Sequence, residues 1–245
     1  MPESEQERSV NLSSFIAAQA DRTPAKPAVV VAHAAADDSG RQTYEQMTFG
    51  ELEAEVNAYA RGLRKIGVRR EMRVSFMVTP GLEFLPLTFA LLRVGAVPVL
   101  IDPGMGRTNL LACIESSRPE ALLGVGRAQF AKLLFRKQFK SVKIKVTIGS
   151  GLRLGGYNLD DIHVGTGPVP AAETAADDPA AIIFTTGSTG PPKGVCYTHG
   201  MFVAQRNLLQ ATYGLTADDV DLPGFPLFSI FTLAMGCTVV LPDMD

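Results

Sequence analysis

The sequence predicts a mainly parallel α/β fold, in which helices flank the sheets. Short apolar, β-branched runs alternate along the chain with amphipathic segments of helical period. The run Val97–Ile101 is apolar at every position, as expected for a strand that is covered on both faces of its sheet. The 245 residues are 46% hydrophobic and 20% charged, which is typical of a globular protein with a sizeable core.

The first elements are predicted from local signals. Leu12 and Ile16 mark the apolar side of a short first helix, and the run Ala28–Ala32 predicts a strand. Thr48 and Glu51 have the spacing of a capping box, in which the hydroxyl and the carboxylate each accept a free backbone N–H at a helix start. The apolar face of that helix is predicted to consist of Leu52, Val56, Tyr59, Leu63 and Ile66.

The alternation continues along the rest of the chain. Further strands are predicted at 73–78, 97–101, 121–124, 142–148, 181–185, 195–198 and 238–241. Further helices are predicted at 82–93, 107–115, 129–135 and 199–213. Pro86 is compatible with a helix because it falls near the first turn, and Gly214 is a typical helix end.

A stretch rich in Ala, Pro, Gly, Thr and acidic residues divides the predicted elements into two groups. We therefore predict an N-terminal α/β subdomain at 1–165, a linker at 166–180, and the start of a second α/β subdomain at 181–245.

Composition and spacing disfavour several classes of function. Cys113, Cys196 and Cys237 are far apart and odd in number, so they predict neither a disulfide framework nor a metal-binding pair. The three histidines are equally scattered, and no metal ligand is predicted. His199 can be read as a catalytic base or as part of a helix start, and its position favours the second. The net charge of −2 gives no indication of nucleic acid as a partner.

The sequence also predicts a cytoplasmic protein without a transmembrane segment. The polar N-terminus, Met1–Val10, lacks the basic start and apolar stretch of a signal peptide. The longest apolar stretch, Phe84–Ile101, is interrupted by two prolines, a glycine and an arginine, which disfavours a membrane span.

The clearest chemical signal is a loop of glycines and hydroxyl residues between two predicted strands, with the sequence TTGSTGPPKGV at 185–195. Glycines let the backbone approach a ligand closely, and successive N–H groups in such a turn can bind an anion. Hydroxyls add donors, and Lys193 adds a positive charge suited to phosphate. We predict a cradle for a polyphosphate, with Lys193 as the catalytic residue that stabilises charge in the transition state. The predicted phosphate-binding residues are Thr185, Thr186, Gly187, Ser188, Thr189, Gly190 and Lys193.

Three other readings of the loop are weaker. A Walker A motif requires Ser or Thr after its lysine, whereas Gly194 follows Lys193 here. A nucleophile elbow requires the pattern G-x-S-x-G, which Ser188 does not have. A flexible linker is disfavoured because apolar strands are predicted on both sides.

The run at 185–195 resembles the phosphate-binding signature of the adenylate-forming superfamily, which includes acyl-CoA synthetases, luciferases and the adenylation domains of peptide synthetases. Two upstream segments resemble other signatures of that superfamily, MTFGEL at 47–52 and LLRVGAVPVLIDP at 91–103. The resemblance covers most of the chain and implies the N-terminal portion of the superfamily's large domain. It implies ATP and Mg²⁺, and a reaction in two halves: a carboxylate attacks the α-phosphate and releases pyrophosphate, and a second nucleophile then attacks the acyl-adenylate.

Within the superfamily, further segments resemble the β-lactone synthetases of bacterial long-chain olefin biosynthesis. These segments are VLIDPGMGR at 99–107, YTHGMF at 197–202, VDLPGFPLF at 220–228 and LPDMD at 241–245. The resemblance implies a long-chain 2-alkyl-3-hydroxy fatty acid, whose own 3-hydroxyl closes a four-membered ring. An internal nucleophile needs no CoA, because proximity replaces it.

The candidate substrate-pocket residues are Phe228, Ser229 and Phe231, with ordinary core positions as the alternative for the two aromatic residues. Many acyl-CoA synthetases have His where this chain has Ser229, which weakens a plain CoA-ligase assignment. Two alternatives remain open: a long-chain fatty acyl-CoA ligase, and a non-catalytic nucleotide- or acyl-binding module.

The resemblance implies further segments beyond Asp245, including the adenine-, magnesium- and ribose-binding residues and a mobile C-terminal domain. We therefore expect the 245-residue chain alone to be incomplete and inactive. A fatty carboxylic acid is the expected partner, and the sequence leaves open a homo-oligomer or a complex with other enzymes of a pathway.

Overall fold

Two sheets with helices between and around them make up the part of the chain that the computed structural model describes, residues 10–36, 41–149, 155–185 and 192–242. The strands are β1 (Pro27–Ala36), β2 (Gln42–Thr48), β3 (Arg73–Met77), β4 (Val97–Ile101), β5 (Ala121–Val125), β6 (Ile144–Ile148), β7 (Tyr157–Asn158), β8 (Pro179–Thr185), β9 (Lys193–Thr198), β10 (Val220–Asp221) and β11 (Thr238–Leu241). The helices are α1 (Ser14–Arg22), α2 (Phe49–Lys65), α3 (Phe84–Val94), α4 (Arg107–Ser117), α5 (Gly126–Leu134), α6 (Leu159–Ile162), α7 (His199–Tyr213) and α8 (Ser229–Met235).

The larger sheet has the strand order β7-β6-β5-β3-β4-β8-β9, and its neighbouring strands are parallel except for the pair β8 and β9. The apolar strand β4 pairs with β3 on one side and with β8 on the other. Its Leu100 belongs to the main hydrophobic core, whereas Val99 packs with Cys113 of α4 on the opposite face. Both faces of the strand are therefore covered, and the predicted α/β class with mainly parallel sheets is confirmed.

The smaller sheet has the order β10-β11-β1-β2. Strand β11 lies parallel to β1, and β2 pairs with the other side of β1 in the antiparallel direction. The sequence pattern does not predict β2, because its residues are exposed or half-buried and show no regular alternation. Each sheet contains strands from before and after the segment 166–180. The domain division at 165 and 180 stays a prediction.

The long helix α2 begins as predicted. The Glu51 N–H donates to Thr48 Oγ1 at 3.3 Å, and the Thr48 N–H donates to Glu51 Oε2 at 2.8 Å. The predicted apolar face packs into the main core, which contains residues of both sheets and of α1, α2, α3 and α8. Helix α7 also has its predicted bounds: Thr198 Oγ1 accepts the Met201 N–H, and Gly214 ends the helix with φ of 66°.

The segment predicted as a linker runs beside α2 and is held there by side-chain hydrogen bonds. Asn57 Oδ1 accepts the Val169 N–H at 2.7 Å in a buried position. The guanidinium of Arg61 donates to the carbonyls of Val164 and Gly167, each at 2.7 Å. These bonds satisfy backbone N–H and C=O groups that are not paired in either sheet, and they attach the segment to α2.

Arg93, near the end of α3, connects four parts of the chain. Its side chain is 1% exposed, and its guanidinium makes two hydrogen bonds to the Glu53 carboxylate on α2. It also donates to Asn57 Oδ1 at 2.8 Å and to the Ser13 carbonyl, just before α1, at 2.9 Å. The Arg93 carbonyl in turn accepts the Ala172 N–H at 2.8 Å. One residue therefore ties α1, α2, α3 and the segment 166–180 together.

His199, the first residue of α7, is fully buried. Among the described residues, neither ring nitrogen has a hydrogen-bond partner. Burial lowers the pKa of His199 to about 4, with Asp178 opposing the shift and Arg70 adding to it. The ring is therefore neutral near pH 7, and its place at the helix start agrees with the structural role favoured from sequence.

Two further features bear on location and redox chemistry. Among the described residues, no helix has both the length and the apolar character needed to cross a membrane. Cys113, Cys196 and Cys237 are free thiols, and burial raises the pKa of Cys113 and Cys237.

We expect Arg93→Met to lower the free energy of unfolding by about 3–5 kcal/mol, because it leaves the Glu53 carboxylate without its partner in a poorly solvated position. Chemical denaturation measures this change. Arg69→Met is the matched control, since it removes an exposed ion pair with Glu120 and should cost about 0–1 kcal/mol. Equal losses for the two variants would contradict the role given to Arg93.

We also expect the free energy of unfolding to fall as the pH drops from 6.5 towards about 4. The first value is the unperturbed pKa of His199, and the second is its pKa in the folded chain. Between these values the unfolded chain binds the His199 proton and the folded chain does not, so acid favours unfolding by up to about 1.4 kcal/mol per pH unit. Denaturation curves across this range should show a shallower pH dependence for His199→Leu. A wild-type slope in His199→Leu would argue against the assignment.

Candidate functional site

The two ends of the predicted phosphate loop are fixed at the carboxyl edge of the larger sheet. Thr185 is the last residue of β8, and Lys193 is the first residue of β9. The two residues are paired in the antiparallel register of these strands, and both are exposed. In open α/β sheets, ligands bind beyond the carboxyl ends of the parallel strands. The sheet therefore brings Thr185 and Lys193 together at the edge where a ligand is expected.

The middle of the loop lies outside the described residues. This applies to the predicted phosphate-binding residues Thr186, Gly187, Ser188, Thr189 and Gly190. Their role stays a prediction, which rests on their sequence and on the position of the two strand ends that flank them.

The packing of Phe184 explains why a glycine, Gly194, follows the lysine. Gly194 is paired with Phe184 across the two strands, and a Cβ at position 194 would lie 2.9 Å from Phe184 Cζ and 3.1 Å from Ile182 Cγ2. The Phe184 ring packs with Val99 and Cys113 and is itself buried. A side chain at 194 would displace this ring, so glycine allows β9 to lie flat against it with Lys193 at the strand start.

Lys193 lines an open cleft of about 560 Å³ between β9 and α4. The described lining residues include a second cation, Arg73, the hydroxyl of Ser116, and the apolar side chains of Ile182 and Phe184. None of the described lining residues is acidic. Arg73 is partly engaged, because its Nη1 donates to the carbonyl of Ser117 at 3.0 Å. Two cations without a lining carboxylate give the cleft a positive potential, which favours anions.

The candidate substrate-pocket residues lie around the start of α8 and are not among the described residues that line this cleft. The hydroxyl of Ser229 is buried and donates to the Pro226 carbonyl at 2.6 Å. Phe231 is buried, whereas Phe228 is half exposed. The structure thus places Phe231 in the core and gives Ser229 a local hydrogen bond, and the pocket role of the three residues stays a prediction.

A second groove, of about 470 Å³, runs along one side of α7 and was not predicted from the sequence. It is lined by Tyr197, Met201, Ala204, Gln205, Leu208 and Leu209. Apart from Gln205, these side chains are apolar or aromatic. The spacing of residues 201, 204, 205 and 208 places them on one side of a helix, which is the signal that could have identified the groove.

A series of aromatic rings connects this groove with the candidate pocket residues. The centroid distances are 5.7 Å from Tyr197 to Phe202, 5.6 Å from Phe202 to Phe231, and 6.2 Å from Phe231 to Phe228. These contacts form a continuous apolar path from α7 to the half-exposed ring of Phe228.

In the described part of the chain, no group of three or more His, Cys, Asp or Glu side chains is arranged to hold a metal ion.

The chain is similar in sequence or in fold to several known proteins. The olefin beta-lactone synthetases of Xanthomonas campestris pv. campestris and Stenotrophomonas maltophilia are each 43% identical to the chain over 211 residues, which is 84% of this chain and 38% of either relative. The chain therefore spans well under half the length of these relatives. The crystal structure of the anthranilate CoA ligase AuaEII in complex with anthranoyl-AMP has the same fold, with a TM-score of 0.83 at 21% identity over 98% of this chain and 46% of that one.

A family described as AMP-binding enzyme matches residues 16–242, which is nearly the whole chain. The match includes both strands that flank the predicted phosphate loop and the residues that line the cleft beside Lys193. The chain belongs to the AMP-binding enzyme family.

Proposed function

We propose that this chain forms the phosphate-binding part of an ATP-dependent enzyme that activates a fatty carboxylic acid as its acyl-adenylate. The observation that carries the proposal is the position of Lys193, an exposed cation at the carboxyl edge of a mainly parallel sheet, beside a cleft whose described residues include no acid. Membership of the AMP-binding enzyme family supports the same reading.

The chain's own residues would act by binding and orienting the triphosphate of ATP. The hydroxyl of Thr185 and the N–H and hydroxyl groups of residues 186–190 would hold the phosphates, and Mg²⁺ would neutralise part of their charge. A carboxylate oxygen then forms a bond to the α-phosphorus, the bond from that phosphorus to the bridging oxygen breaks, and pyrophosphate leaves. Lys193 would stabilise the negative charge that grows on the departing phosphates.

The proposed substrate is a long-chain 2-alkyl-3-hydroxy fatty acid, which the protein would bind in the cytoplasm. Its support is the 43% identity to two proteins named olefin beta-lactone synthetase, together with the apolar groove along α7 and the aromatic path to Phe228. In the second half-reaction, the 3-hydroxyl oxygen attacks the acyl carbon, its proton leaves to base or solvent, and AMP departs. The product is a β-lactone, and the internal position of the nucleophile replaces CoA.

Replacing Lys193 by Ala should slow adenylate formation by about 100-fold, because one preorganised charge contact in the transition state is lost. The measurement is ATP–pyrophosphate exchange by the whole protein in the presence of the acid. Lys65→Ala, which removes an exposed lysine from the last turn of α2, is the control and should exchange at the wild-type rate. An unchanged exchange rate in Lys193→Ala would refute the role of this residue.

The identity of the product tests the proposed substrate. With ATP and a 2-alkyl-3-hydroxy fatty acid, the whole protein should yield β-lactone, AMP and pyrophosphate without CoA. The matched acid that lacks the 3-hydroxyl should stop at the acyl-adenylate, because no internal nucleophile is present. Mass spectrometry distinguishes the products, and a CoA thioester formed from a simple fatty acid would instead identify the protein as an acyl-CoA ligase.

A further inference from the structure

The stretch 126–145, which contains α5 and the turn after it, concentrates positive charge. It holds seven of the chain's 23 lysines and arginines and no aspartate or glutamate, although the net charge of the whole chain is −2. The cations are Arg127, Lys132, Arg136, Lys137, Lys140, Lys143 and Lys145. We call this stretch the α5 patch.

Helix α5 presents its large apolar residues to solvent. Its buried residues are Ala128 and Gln129, and the Gln129 side chain donates to the Val146 carbonyl of β6 at 2.9 Å. Phe130 and Leu134, four residues apart on the outer face, are 53% and 61% exposed. A helix on the surface of a globular protein normally has the opposite arrangement, with its apolar face towards the core. The exposed apolar face of α5 is therefore available for a contact that the described residues do not provide.

Five of the seven cations of the α5 patch have no acidic partner among the described residues. Within the described residues, Arg127, Lys132, Lys137, Lys140 and Lys143 form no ion pair with an acidic side chain, and Arg136 uses its Nε on the Leu133 carbonyl at 3.3 Å. The nearest acid before the stretch, Glu120, is paired with Arg69. Burial and the charge of Lys145 both lower the pKa of Lys132, as expected where cations lie close together without acids.

The α5 patch lies apart from the residues assigned to catalysis. Helix α5 packs on β5 and β6, whereas Lys193 lies on β9 at the far edge of the same sheet. The order β7-β6-β5-β3-β4-β8-β9 places three strands, β3, β4 and β8, between β5 and β9. Contact at the patch would therefore leave the cleft beside Lys193 open.

We infer that the α5 patch binds the surface of a membrane that contains anionic phospholipids. Phe130 and Leu134 would enter the boundary between headgroups and acyl chains, and the lysines and arginines that follow would contact the phosphate groups. The exposed apolar pair distinguishes this partner from a nucleic acid, which would use the cations and have no aliphatic pocket for Leu134. A helix of nine residues is too short to span a bilayer, so the contact is peripheral. The inference does not depend on the proposed reaction, although a fatty acid substrate would be met at such a surface.

Co-sedimentation of the protein with lipid vesicles tests this inference. We expect binding to vesicles of phosphatidylcholine mixed with phosphatidylglycerol and little binding to phosphatidylcholine alone. Raising the salt from about 0.1 M to about 1 M shortens the screening length from about 10 Å to about 3 Å and should weaken binding at least about 10-fold. Equal binding to both vesicle types, or no binding to either, would overturn the inference.

Two pairs of substitutions locate the contact. Lys137→Gln with Lys140→Gln should weaken binding to the anionic vesicles by at least about 10-fold, because two attractions to lipid phosphates are lost. Phe130→Ser with Leu134→Ser should weaken it by about 10-fold, because less apolar surface enters the lipid. All four side chains are exposed, so the melting temperature should stay close to that of the wild type.

Matched controls come from other surfaces of the chain. Tyr44→Ser removes a 59% exposed aromatic ring from β2, and Arg22→Gln with Lys65→Gln removes two exposed cations from α1 and α2. These variants should bind the anionic vesicles as tightly as the wild type. The inference fails if the α5 variants bind like the controls, or if the protein binds a short DNA duplex but neither kind of vesicle.

Discussion

The buried ion pair between Arg93 and Glu53 is the constraint on which the arrangement of the core depends. A charged guanidinium that is almost fully buried needs partners for its charge and its N–H groups. Here α2 and the residue before α1 provide partners for Nη1 and Nη2, whereas Nε has none among the described residues. Because the same residue also accepts a hydrogen bond from Ala172, the segment before β8 is held at a fixed place beside α3. Strand β8, which begins seven residues later, pairs with β4 and β9.

The antiparallel strand β9 pairs with β8 at the edge of an otherwise parallel sheet, so both ends of the predicted phosphate loop lie at this edge. A parallel connection would carry the chain away from the carboxyl edge through a helix, whereas the β8–β9 hairpin returns it at once and places Lys193 opposite Thr185. Gly194 makes the close pairing possible, since the Phe184 ring occupies the space that a side chain would need. The position of Lys193 therefore depends on the packing of the Phe184 ring.

Three surfaces of the chain carry different chemical properties. The cleft beside Lys193 is positive among its described residues, the groove along α7 is mainly apolar, and α5 combines apolar and basic side chains. The groove continues into the aromatic path towards α8, which lies within the main core. The charged cleft, the apolar groove and the α5 patch are therefore formed by different residues of the chain.

The sequence by itself determined the α/β class, the capping of α2, the bounds of β4, α7 and β11, and the residues that flank the phosphate loop, because each follows from a local pattern of polarity, glycine or capping residues. It did not reveal β2, whose residues are mostly exposed, nor the outward-facing apolar side of α5. Composition also could not show that Asn57 and Arg61 hold the backbone at Val164, Gly167 and Val169 in place. Only the tertiary structure decided these features, because they depend on pairings between residues far apart in the chain, such as β1 with β11 and Arg93 with Glu53.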